Sequence, residues 1–317
     1  MFILTFIIVI TASIPGIFLL VGNVEASLEQ VLPPTVESVD AMNDARTQYS
    51  ADMLHVVVYA EGPLTDITYA DNYIQEFSQR ISAIPEVTTV QTSNTSWHVN
   101  ADKTLAVIDI QADTGANTDR ITETITEIED AIYASQASNP GARTQITGFA
   151  AIDKATFSTI MSDFVRITAV AIILIIFVVW IALRNFTHVA IAMSTVFSAL
   201  LMTMGITGYL GITVTVVTMV AAAMILGLGI DFGIHTMHTY AHYHEKHNSR
   251  IATIKTLQEL FRAQLAASMT TSAGFLALGL GVLPAMANLG VVLAIGVSTT
   301  FITATLLLPA IITISHS

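Results

Sequence analysis

AAMILGLGIDFGIHTMHTY, Ala222–Tyr240, is the stretch on which the reading of this chain turns. It is apolar and rich in small residues, and it sets a single carboxylate, Asp231, in its middle. The apolar run starts near Ile212 and meets no lysine or arginine until Lys246. A helix rises 1.5 Å per residue, so crossing a hydrocarbon core of about 30 Å takes roughly 20 residues. With the membrane part at Val217–Tyr240, Asp231 falls close to the bilayer centre. An ionisable group there is costly unless it is paired, protonated or wetted, which makes it a functional candidate by default. The alternative is an acid held neutral by a local hydroxyl. Gly227, Gly229 and Gly233 would let another helix approach closely and keep the acid inside a bundle.

The composition supports a membrane protein with one sizeable water-soluble part. Of the 317 residues, 53% are hydrophobic and 11% charged, with a mean hydropathy of +0.67. Residues 23–166 hold 21 of the 24 acids and 7 of the 12 bases, leaving 3 acids and 5 bases in 167–317. The absence of cysteine excludes disulfides, thiol catalysis and cysteine metal sites. The acidic balance argues against nucleic acid as a partner.

Phe2–Val21 is an apolar segment containing Pro15 and Gly16. Val24-Glu25-Ala26 resembles a cleavage site, but no base precedes Arg46, so a retained first span is expected rather than a signal peptide. The chain begins inside its own hydrophobic segment, which is compatible with a short preceding piece. After a polar stretch with Pro33-Pro34 as linker, a soluble module is predicted. Strands are expected at Met53–Ala60, Glu86–Thr92, Lys103–Ala112 and Arg143–Thr147, with a turn at Ser93-Asn94-Thr95 and another at Asn139-Pro140-Gly141. Helices are expected at Asp66–Ile84 (Ile67, Ile74, Phe77 and Ile81 inward) and Thr118–Ala137 (Ile121, Ile125, Ile128 and Ile132 inward). The order βαββαβ is that of a ferredoxin-like unit. Its acids read as solvated helix faces, and it offers no catalytic constellation.

Further spans are predicted at Phe164–Leu183, Val189–Leu210, Ile212–Tyr240, Leu265–Leu283 and Leu289–Ile314, six with the first. The chain thus divides into a first transmembrane helix, 1–22, an external module, 23–163, and a five-helix membrane domain, 164–317, with a cytoplasmic loop at 241–264. Orientation follows from the bases. Arg184 lies between spans two and three, and Lys246, Arg250, Lys255 and Arg262 between four and five. Alternation puts both connections on one side, and the positive-inside rule makes that side cytoplasmic. The module is then external and both ends of the chain are internal, in a multi-pass protein of the cytoplasmic membrane.

Asp231, His235, His238 and His242 are spaced by four, three and four, forming one helical stripe from mid-membrane to the cytoplasmic surface. A carboxylate and neutral imidazoles along one face can pass protons, since histidine titrates near physiological pH. His235, one turn from the acid, is the strongest histidine candidate. His238, His242, His244 and His247 also read as interfacial polar residues. Span five opens with Ser268-Met269-Thr270-Thr271-Ser272 before Gly274, and hydroxyls there can hydrogen-bond a carboxylate or simply cap their own backbone. Enzyme motifs fail. His244-Glu245-Lys246-His247 has the wrong histidine spacing for a zinc protease, and Gly227-Leu228-Gly229-Ile230-Asp231 is one residue off an intramembrane aspartyl protease motif with no second mid-membrane acid. The same glycines lie within a membrane helix, not after a soluble strand, so they form no nucleotide loop. No cofactor or metal is expected, and any driving force is an ion gradient or a partner.

Gly227–Tyr240 (GLGIDFGIHTMHTY) resembles the fourth-helix motif of resistance–nodulation–division exporters, especially the MMPL branch. Thr270–Leu278 (TTSAGFLAL) is similar to their fifth helix and Asn288–Gly296 (NLGVVLAIG) to the start of their sixth. The resemblance implies proton-driven export of hydrophobic or lipid-like molecules, with Asp231 as the proton carrier and His235, Thr270 and Thr271 as relay candidates. Gly227, Gly229, Gly233 and Gly274 are then helix-packing positions. Two departures stand out. Phe232 occupies the position after the acid where the family usually has tyrosine, and the chain carries one six-helix half where members generally carry two, which calls for self-association or a partner half. Half-sized relatives include the SecD and SecF protein-export subunits, and sterol-sensing proteins, which bind lipid without necessarily pumping, are neighbours as well. Membrane lipids, a hydrophobic substrate and protons are the expected partners.

Cysteines introduced at Asp102 and Lys255 should label from opposite faces of the membrane with an impermeant thiol reagent. Labelling from one face would refute the orientation.

Overall fold

The computed structural model describes residues 2–24, 37, 52–60, 76–91, 105–112, 118–138 and 142–315. Two compact units emerge, a helical one (residues 1–25, 29–33 and 160–317) and an α+β one (residues 26–28 and 34–159).

In the α+β unit, β1 (Asp52–Ala60), β2 (Val87–Gln91), β3 (Leu105–Ala112) and β4 (Ala142–Gly148) form one antiparallel sheet in the order β2-β3-β1-β4. Alternation decides which face is buried. Leu54, Val56 and Val58 of β1 and Ile108 and Ile110 of β3 point into the core, where Phe77, Ile81, Ile125, Ile128 and Ile132 of the two helices meet them. A helix at 76–81 and the helix Thr118–Ser138 supply those residues, so the βαββαβ order expected from the sequence is present. The first ten residues of the expected Asp66–Ile84 helix, the Pro33-Pro34 linker and the 93–95 turn lie outside the described residues. On the sheet's other face, His55 pairs with its register partner Asp109 at 2.6 Å. Lys154 reaches Glu129 at 2.6 Å.

The helical unit is built from six apolar helices: span one Phe2–Val21, span two within Phe149–Leu183, span three Phe186–Tyr209, span four Val216–His244, span five Ser249–Leu276 and span six from Pro284. Spans two to six are each long and apolar enough to cross a membrane, and span one is a shorter apolar helix. Their ends follow local chemistry. Arg184, at φ 51, stops span two, and the Asn185 side chain accepts from Thr187 N to start span three. Gly211, at φ 64, takes the left-handed position that closes span three. A reciprocal box between Thr215 and Thr218 opens span four, Asn248 caps span five, and Pro284 sits in the first turn of span six. The region 241–264, expected to be a cytoplasmic loop, is helical apart from the turn around Glu245–Asn248. Charged and histidine side chains continue both helices into the polar zone, because they are compatible with helix and need only water at their tips.

Inside the bundle, small residues set the helix separations. A Cβ on Gly16 would fall on the Gly205 carbonyl, one on Gly205 would meet Ser13 Cα at 2.8 Å, and one on Gly208 would fall on the Gly16 carbonyl. Spans one and three therefore touch backbone to backbone, and Tyr209 Oη donates to Ala12 O across the same seam at 2.7 Å. Between spans three and six, the Thr203 and Thr299 hydroxyls lie 2.8 Å apart. A π turn at Thr303–Leu307 interrupts span six. Gly208→Leu should lower the thermal melting point of detergent-solubilised protein by several degrees, since overpacking costs about 1–3 kcal/mol. Gly227→Ala, with nothing within 4 Å of the added Cβ, should leave it unchanged or raised. Equal effects of the two would refute this account of the packing.

Candidate functional site

Span four presents three different faces. Leu226, Ile230, Met237 and Tyr240 are buried against spans three and six and the helices around them. Gly229 lets Thr300 of span six come so near that a Cβ would meet its Cγ2 at 2.8 Å, and Gly233 faces Ala192 of span three at 3.5 Å. The opposite face is left uncovered. Val220, Met224, Gly227, Asp231, His235, His238 and His242 are all exposed and follow one another at steps of three or four. Between Val220 and His242 the stripe runs about 33 Å, enough to cross a hydrocarbon core.

Asp231 and His235 open into a cavity of about 390 Å³ between spans four and five, with Val297 of span six contributing to its wall. Leu260, Ala263, Gln264, Ala267 and Thr271 of span five form the far side, and Phe232 forms the edge nearest span six. Phe232 sits edge-on to Phe301, ring centroids 6.5 Å apart, and Phe301 in turn touches Phe261 at 5.9 Å. The aromatic ring at 232 thus serves as a packing joint among three spans. Among the described residues, neither Asp231 nor His235 has a hydrogen-bond or ion-pair partner. One helical turn separates them, which places their Cβ atoms about 6 Å apart.

The hydroxyl cluster of span five divides by direction. Thr271 faces the cavity. Thr270 is exposed and donates to its own helix, to Ala266 O at 2.9 Å and Ala267 O at 3.0 Å, so the structure does not bring it to the acid. Ser272 turns to span six, 3.3 Å from Ser298 Oγ, and Ser268 is buried. Gly274, like Gly227, has nothing within 4 Å of an added Cβ. Among the described residues those two glycines bring no helix close.

A residue absent from the sequence reading matters here. Gln264, 8% exposed, donates to Thr236 Oγ1 at 3.0 Å and approaches the Phe232 carbonyl at 3.4 Å. It ties span five to span four one turn below the acid. The signal was the lone amide in LFRAQLAAS (Leu260–Ser268), a polar group amid apolar neighbours that demands a partner. The polar ends of spans four and five are joined as well. Tyr243 Oη donates to Glu259 at 2.7 Å, Lys255 Nζ lies 2.9 Å from His247 Nε2, and His244 stacks on Tyr240 with centroids 5.2 Å apart. His244 and His247 are thereby engaged in the turn, while His238 and His242 remain on the exposed stripe.

A mid-span acid in a six-helix bundle with an inserted βαββαβ module defines a class of multi-pass membrane protein. The MMPL family model matches residues 27–315, and the chain belongs to the MMPL family. It is also similar to a protein of Methanocaldococcus jannaschii described as a membrane protein, 32% identical over 218 residues. That match covers 68% of this chain and 56% of the relative's length, so the chain spans little more than half of the relative it matches.

Gln264→Leu removes the bridge between spans four and five and should cost about 1 kcal/mol, read as a lower melting point. Thr270→Val, which touches only its own helix, should not change it. If Gln264→Leu melts with the unsubstituted protein, the bridge is not a structural tie.

Proposed function

We propose that this chain is one six-helix unit of a proton-coupled exporter of hydrophobic or amphiphilic compounds, acting with a second such unit. The observation that carries the proposal is Asp231, exposed on the outward face of span four at the mouth of the cavity it shares with His235. A carboxylate in contact with lipid chains is unfavourable by several kcal/mol. Covering the stripe from Val220 to His242 with the same stripe of a second unit removes that contact and brings two acids to one water-accessible seam. A two-fold arrangement needs only that each unit present the same face.

Proton coupling follows from that arrangement. A proton taken up from outside and released toward the His235–His238–His242 side changes the charge at mid-membrane. It thereby biases the packing of spans four and five, provided that each state opens the acid to one side only. Phe232 cannot supply a hydroxyl to the acid, and His235 takes that place.

A second reading, a lipid-binding protein that does not pump, is favoured by an apolar cavity elsewhere in the bundle and is separated from the first by the same measurement. Asp231→Asn keeps the shape but cannot titrate. In proteoliposomes with an imposed pH gradient it should abolish gradient-driven movement of an amphiphilic dye, while leaving expression and dye binding intact. His235→Phe should slow transport and shift its pH dependence. Gly227→Cys should crosslink between two copies in the membrane under mild oxidation. Normal transport by Asp231→Asn would make the acid structural and favour the non-pumping reading.

A further inference from the structure

The helical unit holds a second cavity, of about 330 Å³, at the end of the bundle where span one finishes and span four begins. Spans one, two, three and four all contribute to its wall, and Val292 of span six closes its base. Leu20, Phe164, Met204, Met219 and Ile225 give the wall its character, and among the described residues no charged side chain lines it. The polar side chains present are threonines. Thr203, Thr207 and Thr218 are each satisfied by a carbonyl in their own helix or cap. Thr168 differs: its hydroxyl is buried without a hydrogen-bond partner among the described residues. An unmet buried hydroxyl is unfavourable and needs an explanation.

The polar end of the cavity is closed by a clasp. Val214 N donates to the Asn23 carbonyl at 3.0 Å, Asn23 Nδ2 donates to the Gly211 carbonyl at 3.1 Å, and Val24 pairs with Val214 in a parallel bridge. Val24 and Val214 both face the cavity, so the clasp is its roof. The side at span two is the loosest. From Ile160 to Val178 no residue of that helix is buried, and Val165, Ile167 and Val170 point outward. Access from the bilayer therefore runs past span two rather than through the roof.

We infer that this cavity seats the apolar chain of a neutral, single-chain amphiphile, admitted sideways from the bilayer past span two, with its hydroxyl or carbonyl oxygen set against Thr168. Three features select that chemistry. A cavity of about 150 Å³ lined by aliphatic side chains holds benzene, so one about twice as large suits a chain on the order of ten carbons. A wall with no cation cannot compensate a buried phosphate or carboxylate. The Thr168 hydroxyl can donate to or accept from a neutral oxygen. The assignment rests on the exporter reading only for the direction in which the ligand is moved, since the binding itself needs no proton gradient.

The test uses the purified full chain in nanodiscs and a dodecanol analogue with a diazirine on its chain. Photolabelling should fall on peptides containing residues 161–168 and 200–225. Unlabelled dodecanol should compete at least tenfold better than dodecyl phosphate. Thr168→Val should weaken dodecanol competition about three- to tenfold, the size of one hydrogen bond, and leave dodecane competition unchanged. Ala222→Trp, which fills the cavity, should remove the labelling; if that variant does not fold, the Thr168→Val comparison decides. Labelling spread evenly over the outward residues of span two, or equal competition by dodecyl phosphate, would overturn the inference. Asp231→Asn should label like the unsubstituted protein, so a failed transport experiment and a failed cavity assignment are distinct results.

Discussion

The free-energy cost of a carboxylate in hydrocarbon is the constraint around which the helical unit is arranged. Span four carries Asp231 at mid-length, and the bundle does not bury it. Packing is spent on the other faces: Gly229 against Thr300, Gly233 against Ala192, and Leu226, Ile230 and Met237 in the core. The face that remains holds the acid, three histidines, Gly227 and two apolar residues nearer the opposite end. Such a face is unstable against lipid and stable against water or a matching surface. The exposure of the acid and the openness of Gly227 therefore express one physical situation.

Elsewhere the bundle places polar groups in an apolar interior by satisfying them locally. The hydroxyls of Thr203, Thr207, Thr256 and Thr300 each donate to a carbonyl of their own helix, at 2.6–2.9 Å. Gln264 has no such local acceptor and reaches across to span four instead, which makes it a tie between helices. Where no apolar driving force separates lipid from helix, close backbone approach has to supply the attraction. Gly16, Gly205 and Gly208 provide it between spans one and three, and Gly290 does the same between spans five and six by admitting the Phe275 carbonyl.

Much of this was legible in the chain. The two-residue alternation of Leu54, Val56 and Val58 and the helical spacing of Ile125, Ile128 and Ile132 named the core of the α+β unit, because a sheet with one buried face must alternate. The spans were legible because the apolar length needed to cross a bilayer is fixed. The 241–264 connection between spans four and five is helical apart from one turn, because lysine, glutamate and arginine form good helices when their tips reach water. The glycines nearest the acid attracted attention by position. Gly229 and Gly233 do bring spans six and three close to span four, but the backbone-to-backbone contacts at Gly16, Gly205 and Gly208 lie in other spans, and nothing in their local sequence says which helix they meet.

By itself the sequence determined the membrane class, the apolar helices, the βαββαβ module and the one acid set in the middle of an apolar span. These follow from hydropathy, periodicity and the cost of charge, all local to a segment. Which side of span four the acid faces was decided only by the tertiary structure, as were the separation of Thr271 from Thr270 and the bridge from Gln264 to Thr236. The physical reason is that a helix has a face toward every neighbour. Its sequence states what each face contains, and only the packing of the other spans fixes which of those faces is left open.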